Sequence, residues 1–231
     1  MQSAWDANAT DWVRWARSQE LDHAFWRMNL PALIALLPPP AGLTLDVGCG
    51  EGRVARTLKG LGYNVVGVDS SPTLIAAALQ ADPGFDAQLA NAADMPFPDE
   101  HIDLVIASLS LMNMEDLPGV ISEIARVLRP SSCFCCSILH PVNSWGDAGH
   151  GDYFQTVRYT EELHRDGASM TLHDTHRPLS DYFGAFADVG LLVERVVEPV
   201  PDDAYLADVP EVERWRSRPA FLNIRARLLA H

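Results

Sequence analysis

The segment "TLDVGCGEGRVARTL", residues 44–58, constrains this chain more than any other stretch. Gly48, Gly50 and Gly52 stand at alternate positions directly after a short apolar run that carries Asp46. Glycine has no Cβ, so the main chain there can adopt left-handed conformations and come very close to a ligand. A strand that feeds such a loop into a helix aims free backbone N–H groups and the helix dipole at one point, the place where a doubly wound sheet holds its ligand. The pattern is G-x-G-x-G, whereas the dinucleotide fingerprint G-x-G-x-x-G spaces its third glycine for packing against a pyrophosphate. Asp69 follows 21 positions after Gly48, at the end of the next apolar run, where a carboxylate can accept both ribose hydroxyls of an adenosine.

The rest of the chain repeats that rhythm. "LTLDV" and "NVVGVD" are rich in β-branched residues without polar alternation, and so read as strands covered on both faces. Between them "RVARTLKGLG" has helical spacing. "SSPTLIAAALQA" opens a further helix, with Ser71 as N-cap and Pro72 at the first helical position. A short strand near "FDAQLA", a clear one at "IDLVIASLSL", a helix at "DLPGVISEIARVLRP" ending where Pro130 disfavours helix at Arg129, and a fifth strand at "SCFCCSIL" complete the series. Repeated β-α-β units with right-handed crossovers give a doubly wound, Rossmann-like α/β fold, a mostly parallel seven-stranded sheet with helices on both faces. Residues 1–40 read as an N-terminal helical cap, with Trp5, Trp12, Trp15 and Trp26 and the hinge Pro38–Pro40, and residues 41–231 as the main domain. The rhythm breaks over 141–177, which reads as an inserted hairpin. It resumes with a helix at "LSDYFGAFADVG", a strand at "LLVERVVE", an acidic loop and a last strand at "AFLNIRARLL".

With 17 Lys and Arg against 31 Asp and Glu, the formal charge is -14, which opposes nucleic acid and anionic membrane surfaces as partners. Of the 4 cysteines, Cys133, Cys135 and Cys136 alternate within one apolar strand, a spacing unlike a zinc site or a disulfide framework. Buried thiols of a cytoplasmic protein fit that pattern. No basic-then-apolar leader or long apolar run is seen, so neither secretion nor membrane spanning is expected.

"LDVGCGEGRVARTL", "VVGVDSS", "ANAADMPFPDEHIDLVIASLSLMNMED" and "ISEIARVLRP" resemble, in order and spacing, the class I S-adenosylmethionine-dependent methyltransferases. They are most similar to the group containing the ubiquinone and menaquinone methyltransferases and many small-molecule methyltransferases, over about residues 40–140. The resemblance implies S-adenosylmethionine as cofactor, with S-adenosylhomocysteine as product, and these positions for it. The Gly48–Gly50–Gly52 backbone lies against the homocysteine and ribose, Asp46 meets the amino group, and Asp69, followed by Ser70, takes the ribose hydroxyls. Asp94 meets the adenine amino group between Ala93 and Met95, and Ser108 and Leu109 line the methionine end. The chain departs from the family at "LRPSS", where glycine usually follows the proline. A cofactor without phosphates and with a sulfonium needs no Lys or Arg clamp and tolerates acids around the loop.

Methyl transfer is an in-line displacement from an excellent leaving group, so positioning and dryness carry much of it, with a general base for poor nucleophiles. His140, after the fifth strand, is the first candidate base, and His176 in "TLHDTHRPLSDYF" the second. His173, Tyr153, Tyr159 and Tyr182 are rivals. His173, Asp174 and His176 do not make a metal site by spacing, and no metal is expected. Residues 1–28 and the insert are expected to cap the pocket together. The expected activity is methyl transfer to a small-molecule acceptor, with oxygen favoured over nitrogen or carbon. A non-catalytic or partner-assisting S-adenosylmethionine binder and a protein-directed methyltransferase are the alternatives. The tetrad of the DNA amino-methyltransferases is absent from "LSLMNMED", and no Tyr-x-x-x-Lys pair supports a nicotinamide enzyme.

Overall fold

The computed structural model describes residues 6–230, so Trp5 lies outside the described residues. Helix α1 (Ala9–Arg17), a π-helical turn (Phe25–Asn29) and helix α2 (Leu30–Ile34) precede the first strand, β1 (Leu43–Val47). Alternation follows through α3 (Arg53–Gly60), β2 (Asn64–Asp69), α4 (Pro72–Ala81), β3 (Asp86–Leu89), β4 (Ile102–Ser108), α5 (Leu117–Val127) and β5 (Leu128–Leu139). Then come α6 (Pro141–Asp147), the strands β6 (Val157–Arg165) and β7 (Ala168–His176), α7 (Leu179–Asp188), β8 (Leu191–Val197), α8 (Asp203–Asp208) and β9 (Phe221–Leu228).

Seven strands form one sheet in the order β3-β2-β1-β4-β5-β9-β8, parallel except that β9 runs antiparallel to β5 and β8. This is the expected doubly wound α/β fold. The order reverses between β1 and β4, so the crevice at their carboxyl ends is the topological switch point. Period-two alternation divides the core between the two faces of the sheet. Leu104, Ile106, Cys133 and Cys135 pack with Val54 and Leu58 of α3 and Ile75 of α4, while Val105, Ala107, Phe134 and Cys136 pack with Ile121 and Ile124 of α5 and Phe186 of α7. The four cysteines are free and buried, in keeping with the apolar reading of "CFCC". Among the described residues no helix is long and apolar enough to cross a membrane.

Local chemistry explains most of the boundaries. Ser71 caps α4, its Oγ accepting from the Leu74 N–H at 3.2 Å. The insert is the expected antiparallel hairpin, β6 with β7, closed by Asp166 and Gly167, both at positive φ (49° and 72°), the geometry of a two-residue type I′ turn. Three features depart from the expectation. The insert begins with a short helix, α6, and the acidic segment carries α8 and a 3₁₀ turn (Pro210–Arg216), with Asp202 capping α8. The chain also leaves helix α5 at Val127, and Leu128 is already extended, because the ring of Pro130 disfavours helical geometry just upstream.

Two backbone positions lie in the left-handed region where a substitution reads the strain of a side chain. Gly48 has φ +72°, and a Cβ there would stand 2.5 Å from the Cβ of Ser110, whose Oγ donates to the Val47 carbonyl at 2.7 Å. Ser131, where the resemblance leads one to expect glycine, has φ +66°. Gly48→Ala is expected to lose about 2–3 kcal/mol in urea unfolding, whereas Gly60→Ala, with open space at Cβ, changes stability by less than about 1 kcal/mol. Ser131→Gly is expected to gain about 0.5–1 kcal/mol in the same measurement, because relief of left-handed strain exceeds the added chain entropy.

Candidate active site

A cavity of about 1030 Å³ opens over the carboxyl ends of β1, β2 and β4 and extends beneath α1 and the β6–β7 hairpin. Its floor at one end is the glycine loop. Gly48 N and Cys49 N both donate to the Val68 carbonyl, at 2.8 and 3.0 Å, and Gly50 N donates to Asp69 Oδ2 at 2.8 Å. Gly52 N is bonded to the Cys49 carbonyl at 2.9 Å. These amides are therefore not the free donors that the sequence suggested. They hold the loop against β2, and the surface turned to the cavity is bare main chain: a Cβ on Gly50 would have only Trp12 Nε1, at 3.7 Å, within reach.

The charges around this floor are sorted by pairing. Glu51 is buried but neutralised by Arg17 Nε at 2.6 Å and Arg56 Nη2 at 2.7 Å. Asp69 accepts from Gly50 N and from Ser71 N at 2.9 Å, and burial still raises its pKa. Asp46 is 1% exposed and its Oδ2 has no hydrogen-bond partner. Burial and then the charge of Asp69 push it up to about 7, with Arg53 acting against them. An ionised Asp46 thus lacks a cationic donor that a ligand amine would supply.

Ser70, Ala93, Ser108 and Leu109 stand on the cavity wall with Asn91 and Ala92. Asp94, Met95 and Gly52 do not, Gly52 being turned toward Ala78 and Phe85. Asn91 and Asp94 pair in a tight bridge that leaves the Asp94 side chain exposed, while Met95 turns into the core and its N–H donates to Glu123 Oε2 at 2.9 Å. The cavity wall at this turn is therefore Asn91–Ala93.

The two candidate bases are also placed elsewhere. His140 is the N-cap of α6, its Nδ1 accepting from Val142 N at 3.1 Å and its Nε2 directed at Glu198 at 2.9 Å. Burial lowers its pKa against the pull of Glu198. His176 is bound through Nδ1 to Ser144 Oγ and through Nε2 to the Tyr153 carbonyl, both at 2.9 Å. Both rings are buried fasteners of the insert and neither lines the cavity. His173 is tied by Nε2 to Asn8 at 3.0 Å. The polar groups that do face the far end include Asp147 of α6, Glu161 of β6 and Asp174 of β7, with Asn113, Asn143, Arg214 and Arg218. Burial raises the pKa of all three carboxyls, and of Asp174 to about 7. The legible signal for Glu161 was its place on the inward-facing alternation Val157, Tyr159, Glu161, Leu163, Arg165, where an acid interrupts an otherwise amphipathic face.

Above the cavity, Trp12 and Trp15 of α1 form part of the wall. Arg53, at the start of α3, pairs with Asp22 at 2.6 Å and lies 3.4 Å from the Phe25 ring centroid and 4.9 Å from that of Trp12. Asn8 and Arg165 tie the same segment to the hairpin.

A family model described as a methyltransferase domain matches residues 45–136, the segment from β1 through most of β5. Over those residues the chain matches a methyltransferase domain, and its fold is that of the S-adenosylmethionine-dependent methyltransferases. A crystal structure of an S-adenosylmethionine-dependent methyltransferase from Mesorhizobium loti superposes with a TM-score of 0.69 at 26% identity, covering 88% of this chain and 97% of that one. Demethylmenaquinone methyltransferase of Tropheryma whipplei (strain Twist) is 34% identical over 126 residues, 52% of this chain and 51% of the relative. Nocamycin O-methyltransferase of Saccharothrix syringae is 38% identical over 115 residues, 46% of this chain and 41% of the relative. The chain thus spans about half the length of the curated relatives it matches.

S-adenosylmethionine is the cofactor of this family, and the cavity fits it. The unpartnered Asp46 oxygen suits an ammonium, Asp69 stands at a strand tip where ribose hydroxyls can be accepted, and loop amides committed to β2 offer nothing to a pyrophosphate. Asp46→Asn tests this assignment. An aspartate whose folded pKa lies above its unfolded one loses stability as pH rises from about 4 to 7, with the full penalty above the folded value. The melting temperature of the variant relative to the native chain is therefore expected to rise across that window and to level off above it. Its affinity for S-adenosylhomocysteine by calorimetry is expected to fall about 10- to 100-fold at pH 8, the loss of one charge-assisted hydrogen bond.

Proposed function

We propose that this chain transfers a methyl group from S-adenosylmethionine to the hydroxyl of a small-molecule acceptor held beneath α1 and the hairpin. The observation that carries the reading is the continuity of one cavity, from the glycine loop with its unpartnered Asp46 to a polar far end walled by Asp147, Glu161 and Asp174. Its volume, about 1030 Å³, suits a cofactor beside a small acceptor. The bound cofactor supplies a methyl carbon on a positively charged sulfur, so the protein's task is orientation, exclusion of water and disposal of a proton. Trp12 and Trp15 from above and Leu163 and Leu172 from the hairpin give the cavity apolar walls, which supports the cap proposed for residues 1–28 and 141–177. Oxygen as the acceptor atom is supported by the raised carboxyls at the far end and by the likeness to nocamycin O-methyltransferase. Four buried, free thiols accord with a reducing, cytoplasmic setting.

The test is a panel of catechol, 4-hydroxybenzoate, tyramine, aliphatic amines and carboxylic acids, with methylated product identified by mass spectrometry. Methyl ethers are expected. Tight binding of S-adenosylhomocysteine with no product from any acceptor would favour a non-catalytic binder. Deleting residues 1–20 is expected to raise the acceptor KM and lower kcat at least tenfold in a chain that still melts cooperatively; unchanged constants would remove the cap from the reading.

A further inference from the structure

One buried carboxylate on the cavity wall belongs to the insert and not to the glycine loop. Asp174, near the end of β7, is 3% exposed and faces the cavity. With its amide nitrogen turned toward β7, Asn113 donates to Asp174 Oδ1 at 3.0 Å and to the His173 carbonyl at 2.7 Å. Asn113 ends the 3₁₀ turn Leu111–Asn113, which follows directly on Ser108, Leu109 and Ser110. Those three residues are on the cavity wall where β4 ends. The amide therefore fixes a carboxylate of the insert to the segment beside the methionine end, from two elements far apart in sequence.

The groups packed around Asp174 leave it without a counter-charge. Glu161 of β6 and Asp147 of α6 add negative charge, and Tyr159, its cross-strand partner on β6, has a buried hydroxyl with no hydrogen-bond partner. Tyr182 of α7 is buried nearby and feels the charge of Asp174. Arg177 is committed to the carbonyls of Met112, at 2.9 Å, and Met114. Arg214 and Arg218 act on Asp147. Among the described residues no cation pairs with Asp174, and a carboxylate so placed holds a proton more readily than an exposed one.

We propose that Asp174, positioned by Asn113, accepts the proton that the acceptor hydroxyl gives up during methyl transfer. The proposal rests on the reading of the cavity given under Proposed function. The acceptor oxygen forms its bond to the methyl carbon as the carbon–sulfur bond breaks, the electron pair of that bond stays on sulfur, and the hydroxyl proton passes to the Asp174 oxygen that Asn113 leaves free. The proton then leaves to water with the product. Asn113 acts through Asp174, so it is a positioning residue, and its hydrogen bond favours the ionised carboxylate.

Two measurements separate this proposal from the reading beneath it. Infrared pH titration of the native chain without acceptor is expected to show protonated-carboxyl absorbance between pH 6 and 8 from Asp46 and Asp174 together, of which one component is lost in Asp174→Asn, persists in Asp46→Asn and moves to higher pH in Asn113→Ala. Absence of any such Asp174-dependent band overturns the proposal without reference to turnover. With the phenols of the panel as acceptors, Asp174→Asn is expected to lower kcat by about 100-fold or more while S-adenosylhomocysteine affinity stays within twofold. Asn113→Ala is expected to shift the acid limb of the kcat profile upward. Asp174→Asn with kcat within threefold of native and an unmoved limb overturns the proposal and leaves the methyltransferase reading standing. If no phenol is methylated by the native chain, the hydroxyl reading fails, and Asp174 as its base fails with it.

Discussion

Three successive amides of the glycine loop, Gly48, Cys49 and Gly50, are bonded to the last two residues of β2, two to the Val68 carbonyl and one to the Asp69 carboxylate. This clasp joins the tips of adjacent parallel strands on one side of the switch point, and most of the site depends on it. It fixes Asp69 at the floor, draws the chain through three positive-φ glycines, and leaves the cavity facing Cα atoms rather than N–H donors. A floor of that kind suits a cofactor without phosphates. It also explains the cost of burying Asp46: with the amides already engaged, one of its oxygens has no protein partner.

The electrostatics of the two ends of the cavity follow one rule. Acids that serve the architecture are neutralised, as Glu51 is by Arg17 and Arg56, and Asp22 is by Arg53. The cavity-wall acids Asp46, Asp69, Glu161 and Asp174, which have no such ion pair, keep raised pKa values because burial outweighs the groups that oppose it. Such groups are stabilised only by what enters. A sulfonium and an ammonium at one end, and a transferable proton at the other, would relieve them. The α1 segment helps to close the space, held through Arg17, Arg53 and Asn8 to both the sheet domain and the insert.

Much of the cofactor end was legible before any coordinates, because its residues lie within one or two positions of strand ends and strand ends are visible as apolar runs. Asp46, Gly50, Asp69, Ser70, Ala93, Ser108 and Leu109 all stand on the cavity wall. Asp94 and Met95 do not, since the bridge between Asn91 and Asp94 leaves Asp94 exposed and Met95 turns into the core. His140 and His176 looked like bases because unpaired histidines near a sheet edge have suitable proton affinity. Their actual partners, Val142 N, Glu198, Ser144 and Tyr153, come from loops and helices whose packing no spacing rule reports.

From the order of residues alone come the α/β alternation, the parallel sheet, the glycine turn and the carboxylate one strand away. All of these are set by local steric rules and short-range periodicity. The acceptor end was decided only in three dimensions. Asp174 reaches Asn113 across 61 positions of chain, and Asp147 and Glu161 meet it from two further elements, so their shared field exists only once the hairpin has docked on the turn after β4. Burial and proximity, which set the proton affinity of those carboxyls, are properties of that docking and not of any segment by itself.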